Sequence, residues 1–232
     1  MKTKSEYAYV LYHAKKIKAV NLFGGKCEQC GEDRPWILTF HHKDPNEKEF
    51  KIGELLSLRW SKLKNEVLKC RLLCHNCHRK IHNQNNITKD VISKQLLLEY
   101  KNIKGCQECS YDKCNGSLSF HHRNSKEKMF ELSTKRIKTF DDLDLYIKDE
   151  LDKCDVLCQN CHADLHFDED RFEKYKDEIM EKVNNYRETQ DPISHEIIKQ
   201  LLSEGKTQIE IARLFGRNKS TISCIMKRHN LK

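Results

Sequence analysis

Lys69-Cys70-Arg71-Leu72-Leu73-Cys74-His75-Asn76-Cys77-His78-Arg79-Lys80-Ile81-His82 returns as Lys153-Cys154-Asp155-Val156-Leu157-Cys158-Gln159-Asn160-Cys161-His162-Ala163-Asp164-Leu165-His166. Both stretches read Lys-Cys-x-x-Leu-Cys-x-Asn-Cys-His-x-x-x-His. The agreement extends upstream. Cys27-Glu28-Gln29-Cys30 is matched by Cys106-Gln107-Glu108-Cys109, and the dipeptide His41-His42 by His121-His122. Lys48 and Lys128 each follow seven residues after the first histidine of the dipeptide, and Phe50 and Phe130 two residues later. A period near 80 residues is an internal repeat, so the chain is read as two copies of one small unit.

The repeat is rich in thiols, and composition says what they are for. The 232 residues hold 12 cysteines, only 38% hydrophobic residues and 34% charged ones. One large core is therefore excluded in favour of several small modules, each needing a brace. The N-terminal stretch has no apolar signal core and no segment approaches a membrane span, so a cytoplasmic location is expected. Thiols stay reduced there, which points to metal rather than disulfides. Cys27, Cys30, Cys74 and Cys77 form two Cys-x-x-Cys pairs, as do Cys106, Cys109, Cys158 and Cys161. Each tight turn aims two thiolates at one ion, and two such turns complete a closed, structural, tetrahedral zinc site. Such a site contributes on the order of 10 kcal/mol or more of folding free energy. Cys70 and Cys154 are expected to pack beneath a helix, Cys114 and Cys224 to bind nothing. His75, matched by Gln159, is no expected ligand.

Each copy then has four histidines left. His78 and His82 are four apart on a helical pattern, as are His162 and His166, so each couple shares a helix face and can chelate a divalent ion. His41-His42 and His121-His122 follow the short apolar runs 36–40 and 117–120, which read as strands. Neighbours on a strand face opposite sides, so for both to serve one site the strand should end or bend there. A helix is expected before each copy, over 5–23 and over 92–103, stopped by Gly24-Gly25 and by Gly105. A polar, turn-rich connector follows at 83–89. Residues 168–190 carry Phe172, Tyr175, Ile179, Val183 and Tyr186 at three- and four-residue steps, expected as a charged amphipathic helix that acts as a solvated spacer, with a partner-binding helix the second reading.

The last forty residues have a different rhythm. Asp191-Pro192 reads as a cap and first-turn pair. Ile193, Ile197, Leu201 and Leu202 form a stripe stopped by Gly205. Thr207 caps a second helix with Ile209, Ile211, Ala212, Leu214 and Phe215 inside, Gly216 turns the chain, and a third helix buries Ile222, Ile225 and Met226.

Residues of about 20–82 and 100–166 resemble the HNH, or ββα-metal, nuclease family, in particular phage-encoded proteins with Cys-x-x-Cys, His-His-x-Asp-Pro and Cys-x-Asn-Cys-His-x-x-x-His patterns. The resemblance implies that His42 and His122 are general bases. It implies that His41, His78 and His82 hold one catalytic ion and His121, His162 and His166 another. That ion would be Mg²⁺ or Mn²⁺. All-imidazole ligation also suits Ni²⁺, Co²⁺ or Zn²⁺ by softness. The family's middle asparagine falls here near Lys69 and Lys153, while Asn76 and Asn160 lie inside the second Cys-x-x-Cys. Residues 193–232 resemble the helix-turn-helix of resolvase- and homeodomain-like DNA binders. There the third helix would enter the major groove. Arg217, Asn218, Lys219, Ser220, Thr221 and Ser223 would face bases or phosphates, and Lys227 and Arg228 phosphates.

Charge agrees with a polyanionic partner. The net charge is +8, with +8 in residues 1–83, −1 in 84–166, −4 in 167–192 and +5 in 193–232, so both ends are placed to meet phosphate. The expected fold is α+β: a zinc-braced ββα-metal module at 1–83, a second at 84–167, a charged helical linker at 168–192 and an all-α helix-turn-helix at 193–232. The expected function is a metal-dependent endonuclease acting on double-stranded DNA. A phage homing type working in the host bacterial cytoplasm follows by analogy, with no membrane and no obligate protein partner. A non-catalytic zinc-containing DNA-binding regulator and a nuclease of structured RNA are the other classes.

Overall fold

The computed structural model describes residues 2–54, 59–84, 92–132, 146–185 and 194–231. Asp191, Pro192, Ile193, Tyr186 and most of the polar connector lie outside the described residues. The elements run α1 (Lys4–Asn21), β1 (Leu38–His42), α2 (Trp60–Leu68), β2 (Cys70–Cys74), α3 (His75–Gln84), α4 (Ile92–Lys104), β3 (Leu118–His122), α5 (Tyr146–Asp152), β4 (Cys154–Cys158), α6 (Gln159–Leu165), α7 (Glu169–Asn185), α8 (His195–Ser203), α9 (Gln208–Leu214) and α10 (Lys219–Arg228). The fold is α+β, and each copy contributes a two-stranded sheet, β1 with β2 and β3 with β4. No helix among the described residues is long and apolar enough to cross a membrane.

The chain divides into two compact units, residues 1–28, 40–72 and 168–232 in one, 29–39 and 73–167 in the other. In the first, α1 starts at Thr3, whose hydroxyl accepts from the Glu6 amide while the Glu6 carboxylate accepts from the Thr3 amide. This reciprocal cap satisfies two helix-end donors. Gly24 and Gly25, at φ +78° and +76°, take the left-handed turn that ends the segment. α1 packs on α7. The apolar stripe Phe172, Tyr175, Ile179 and Val183 is buried, Tyr175 donates to Glu6, and Arg171 lies 4.2 Å over the Tyr9 ring. α7 is thus no solvated spacer. Burying each such side chain contributes about 1.5–3 kcal/mol, which a stripe at helical spacing gains only by finding a partner face. α2 adds Trp60, Leu63 and Val67 against Ala19 of α1, with Phe23 and Phe40 packed alongside.

The helices α8, α9 and α10 share a core of Ile197, Ile198, Leu201, Ile211, Ala212, Phe215 and Ile222, and Leu68 of α2 belongs to the same cluster. Leu202, Leu214, Ile225 and Met226 pack partly buried against it. Thr207 and Glu210 form a second reciprocal cap, and Gly205 and Gly216 have φ of +80° and +59°. Two positions differ from expectation. Ile209 is exposed, because it sits in the first turn of α9, on the side away from the fully buried Ile211. Ile198 is fully buried and completes the stripe of α8.

In the second unit β3 pairs antiparallel with β4, Leu118 opposite Cys158, Phe120 opposite Val156, His121 opposite Asp155 and His122 opposite Cys154. α4 and α5 close one small core of Leu97, Leu132, Ile147, Leu151 and Cys154. Leu118, Val156 and Leu157 form another beside Cys106 and Cys158. Cores this small bury little area, hence the need for an additional clamp.

Candidate metal centre

The cysteines predicted to clamp each copy are brought together. Cys27, Cys30, Cys74 and Cys77 form one cluster and Cys106, Cys109, Cys158 and Cys161 another, with all sulfurs of a cluster within 4.8 Å of one another. The Cys30–Cys74 and Cys109–Cys158 sulfur separations are 3.6 and 3.7 Å. A Zn–S bond of about 2.3 Å gives a tetrahedron edge of roughly 3.8 Å, whereas a disulfide would need about 2.0 Å. The Cys77 and Cys161 amides each donate to the sulfur three residues earlier, both at 3.4 Å, the local turn that aims two thiolates inward. Both clusters therefore fit structural zinc. Cys70 and Cys154 stand apart from them. Each thiol donates to a carbonyl, Glu66 O at 3.4 Å and Glu150 O at 3.3 Å. Burial pushes them up to about 12 and about 11. They are core thiols, as expected.

The predicted imidazole triads also assemble. In each copy the first residue of the dipeptide joins the two helical histidines, His41 with His78 and His82, His121 with His162 and His166, with ligand nitrogens within 4.8 Å. In the second copy the three rings stand 4.9 to 5.1 Å apart, centre to centre. Ser119 decides the tautomer of one of them. Its hydroxyl proton goes to the Leu157 carbonyl at 3.3 Å, leaving its oxygen to accept from His162 Nδ1 at 3.3 Å. A proton on Nδ1 leaves Nε2 bare, the form that ligates metal. That Nε2 faces His166 Nε2 at 3.2 Å, close to the roughly 3.3 Å edge of a site with 2.0–2.1 Å metal–nitrogen bonds. Burial, and then the His166 charge, lower the His121 and His162 values, which favours neutral imidazoles.

The second histidines of the dipeptides take another partner. β1 and β3 run through the first histidine and end at the second, with a bend at the next residue, so the second ring stands at the strand's end beside the triad, near enough for the His122 charge to lower the His121 value. His42 Nε2 lies 2.8 Å from Glu66 Oε1, and His122 Nε2 lies 2.8 Å from Glu150 Oε1. Both carboxylates are buried to within 1% of full occlusion. Sequence reasoning missed them, although Glu-x-x-Lys-Cys precedes β2 and β4 alike. Glu150 also accepts from the Met129 and Phe130 amides at 2.9 and 3.4 Å and from Lys153 Nζ at 3.0 Å. Glu66 repeats this with the Glu49 and Phe50 amides and Lys69. Burial opposes ionisation of Glu150, but the bonds from Lys153, Met129, His122 and Phe130 outweigh it and hold the carboxyl down at about 2. Glu66 is lowered for the same reasons. Lys69 and Lys153 reach on to the Glu47 and Glu127 carbonyls at 3.1 and 3.4 Å, fastening the loop after each histidine dipeptide.

In α10 and its approach, Asn218, Lys219, Ser220, Lys227 and Arg228 are exposed, while Arg217, Thr221 and Ser223 are partly covered. Asn218 caps the helix by position without a side-chain bond. No protein-family model, curated protein or solved structure matches this chain.

Proposed function

We propose that the chain is a metal-dependent endonuclease of the HNH type that hydrolyses phosphodiester bonds in double-stranded DNA, a phage homing-type enzyme by analogy. One observation carries the reading: an imidazole anchored by a buried carboxylate adjoins, in sequence, an imidazole that joins two helical histidines, and the arrangement is built twice. Three neutral imidazoles are a donor set for a divalent ion. An ion held by His121, His162 and His166, or by His41, His78 and His82, would stabilise charge on the phosphate and the departing 3′-oxygen.

The chain's own groups supply the proton chemistry. Glu150 is ionised and accepts from His122 Nε2–H, which leaves Nδ1 as the basic nitrogen. His122 Nδ1 takes a proton from the attacking water, and Glu150 stabilises the imidazolium that results without itself becoming protonated. His42 and Glu66 repeat the arrangement. Lys69 and Lys153 hold the loop beside the base. The four-cysteine clusters contribute fold rather than chemistry, since a closed tetrahedral site has no open position.

Three helices, the second with a reciprocal cap, two left-handed glycines and a third helix bearing Lys219, Lys227 and Arg228 at its surface support a helix-turn-helix for DNA. The basic excess at both chain ends supports phosphate contact. The test is supercoiled-plasmid cleavage with Mg²⁺ or Mn²⁺. His42→Ala with His122→Ala should lower the rate on the order of 10²-fold or more while duplex binding persists in a gel shift. Undiminished cutting by that variant sinks the assignment. A wild type that binds DNA and never cuts leaves the regulator reading.

A further inference from the structure

Asn76 and Asn160 occupy the same repeat position, between the two cysteines of the second knuckle. Zinc ligation makes no demand on that position, yet both asparagines are buried. The Asn76 amide donates to Asn160 Oδ1 at 3.0 Å, and the Asn160 amide donates to Asn76 Oδ1 at 3.2 Å. Each residue thus gives and receives the same bond. Reciprocity of this kind is the mark of a two-fold interface between identical subunits, here made inside one chain. Ser117 Oγ adds a bond to the Asn76 carbonyl at 3.0 Å. At the edge, Arg34 Nη1 and Trp36 Nε1 both donate to Asp164 at 2.7 Å, and the Trp36 ring stacks on Phe167 at 4.0 Å and 5°.

The bonded asparagines sit in the first turns of α3 and α6. α3 carries His78 and His82, and α6 carries His162, with His166 as the cap that follows it. Locking two short helices at their first turns fixes how far apart the histidine couples stand, because a helix is stiff over two turns and its side chains follow its axis. The two bonds are buried, where a hydrogen bond is electrostatically stronger than one made in water, so they favour the docked arrangement.

We propose that this internal docking makes the two histidine centres a fixed pair that acts on one duplex, one strand to each centre. The cutting part of this inference rests on the nuclease reading above; the fixed spacing does not. Each centre adds one water across one P–O bond, giving a 3′-hydroxyl and a 5′-phosphate on its strand. Holding the second centre beside the first raises its effective concentration at the nicked duplex, so the second cut follows within the same encounter.

The experiment uses the full chain with zinc bound and two readouts. Cu²⁺ is added as a probe of the helical histidine couples, in a His195→Ala, His229→Ala background that removes the stacked surface pair, and the dipolar distance between ions is measured by pulsed electron resonance. A single narrow distance is expected, lost when His82→Ala empties one centre and broadened in Asn76→Ala with Asn160→Ala. The second readout is plasmid cleavage. The unmodified chain should give linear product without accumulating the nicked circle, and the asparagine variant should shift the ratio of linear to nicked product by at least about tenfold toward nicked. If that variant loses its two zinc ions, Asp164→Ala with Phe167→Ala, which removes the edge contacts and no part of a knuckle, takes its place. A broad distribution in the unmodified chain overturns the pairing even if DNA is cut. A narrow one with no cutting keeps the fixed spacing and sinks only the nuclease reading. A narrow one with nicking alone overturns the one-strand-to-each-centre claim.

Discussion

The two copies share their cysteine clusters, imidazole triads and histidine–glutamate dyads, and differ on the helix that leads into the second strand. In the first copy that helix, α2, ends in Leu68, which is buried in the core of α8–α10. Lys64 lies 5.0 Å over the Phe215 ring, and Lys43, next to the histidine dipeptide, pairs with Glu204. In the second copy the position of Leu68 is held by Asp152, which is exposed. Arg123, matching Lys43, turns to Asp155 at 2.6 Å and to the Asp152 carbonyl. The repeat is therefore constant at its cysteine and histidine clusters and differs where it meets the C-terminal helices. An aliphatic residue at that helix end makes the first copy a platform, and a carboxylate makes the second one solvent-facing, since an unpaired charge is not buried.

The largest expected effect removes what the copies share. Chelating zinc, or Cys158→Ser with Cys161→Ser, should unfold the surrounding copy, because each site supplies on the order of 10 kcal/mol; circular dichroism with zinc titration checks it. Next, His42→Ala and His122→Ala taken singly should each cripple one centre by about 10²–10⁴-fold. The product would then be nicked circle in both cases, and nicking of opposite strands by the two variants would sharpen the equivalence of the copies. Unequal losses would break it.

Smaller effects test where the copies diverge. Leu68→Asp should cost about 2–5 kcal/mol of the stability of α8–α10, as the loss of a buried leucine does, read by hydrogen exchange in α8. Asp152→Leu should change stability by no more than about 0.5 kcal/mol. Acid behaviour should be common to both. Glu150 is held at about 2 against an ordinary 4.5, so its contribution is fully present above about 4.5 and is lost as pH falls toward 2. Glu150→Gln should flatten that part of the stability curve, and Glu66→Gln should do likewise in the first copy. The smallest effect concerns a turn. Gly31 has φ +78°, whereas Ser110, at the same place after the first knuckle, has φ +57°. Ser110→Gly should stabilise the second copy by about 1 kcal/mol, measured by thermal melting, and Gly31→Ser should do the reverse in the first.

Much of the site was legible because ligation and helix geometry are local. Two Cys-x-x-Cys turns announce a four-sulfur clamp, and a four-residue histidine step announces a shared helix face; both formed as read. Glu66 and Glu150 were legible in principle, as a repeated Glu-x-x-Lys-Cys. A glutamate on a charged helix is ordinarily solvated, however, and only the folded loop after the histidine dipeptide brings the two amides that bury it. α7 was misjudged for a related reason. Its stripe Phe172, Tyr175, Ile179 and Val183 fixes that a face exists, and says nothing of which helix covers it.

The sequence alone thus determined the repeat, the cysteine and histidine sets, the capped helices and the α+β character, all of which depend on residues within a turn or two of each other or on an exact copy elsewhere in the chain. The tertiary structure decided the rest: α7 against α1, Leu68 inside the C-terminal helices, and Asn76 bonded to Asn160. These are contacts across long stretches of chain, set by which apolar faces and buried amides satisfy one another, and no spacing rule records the partner.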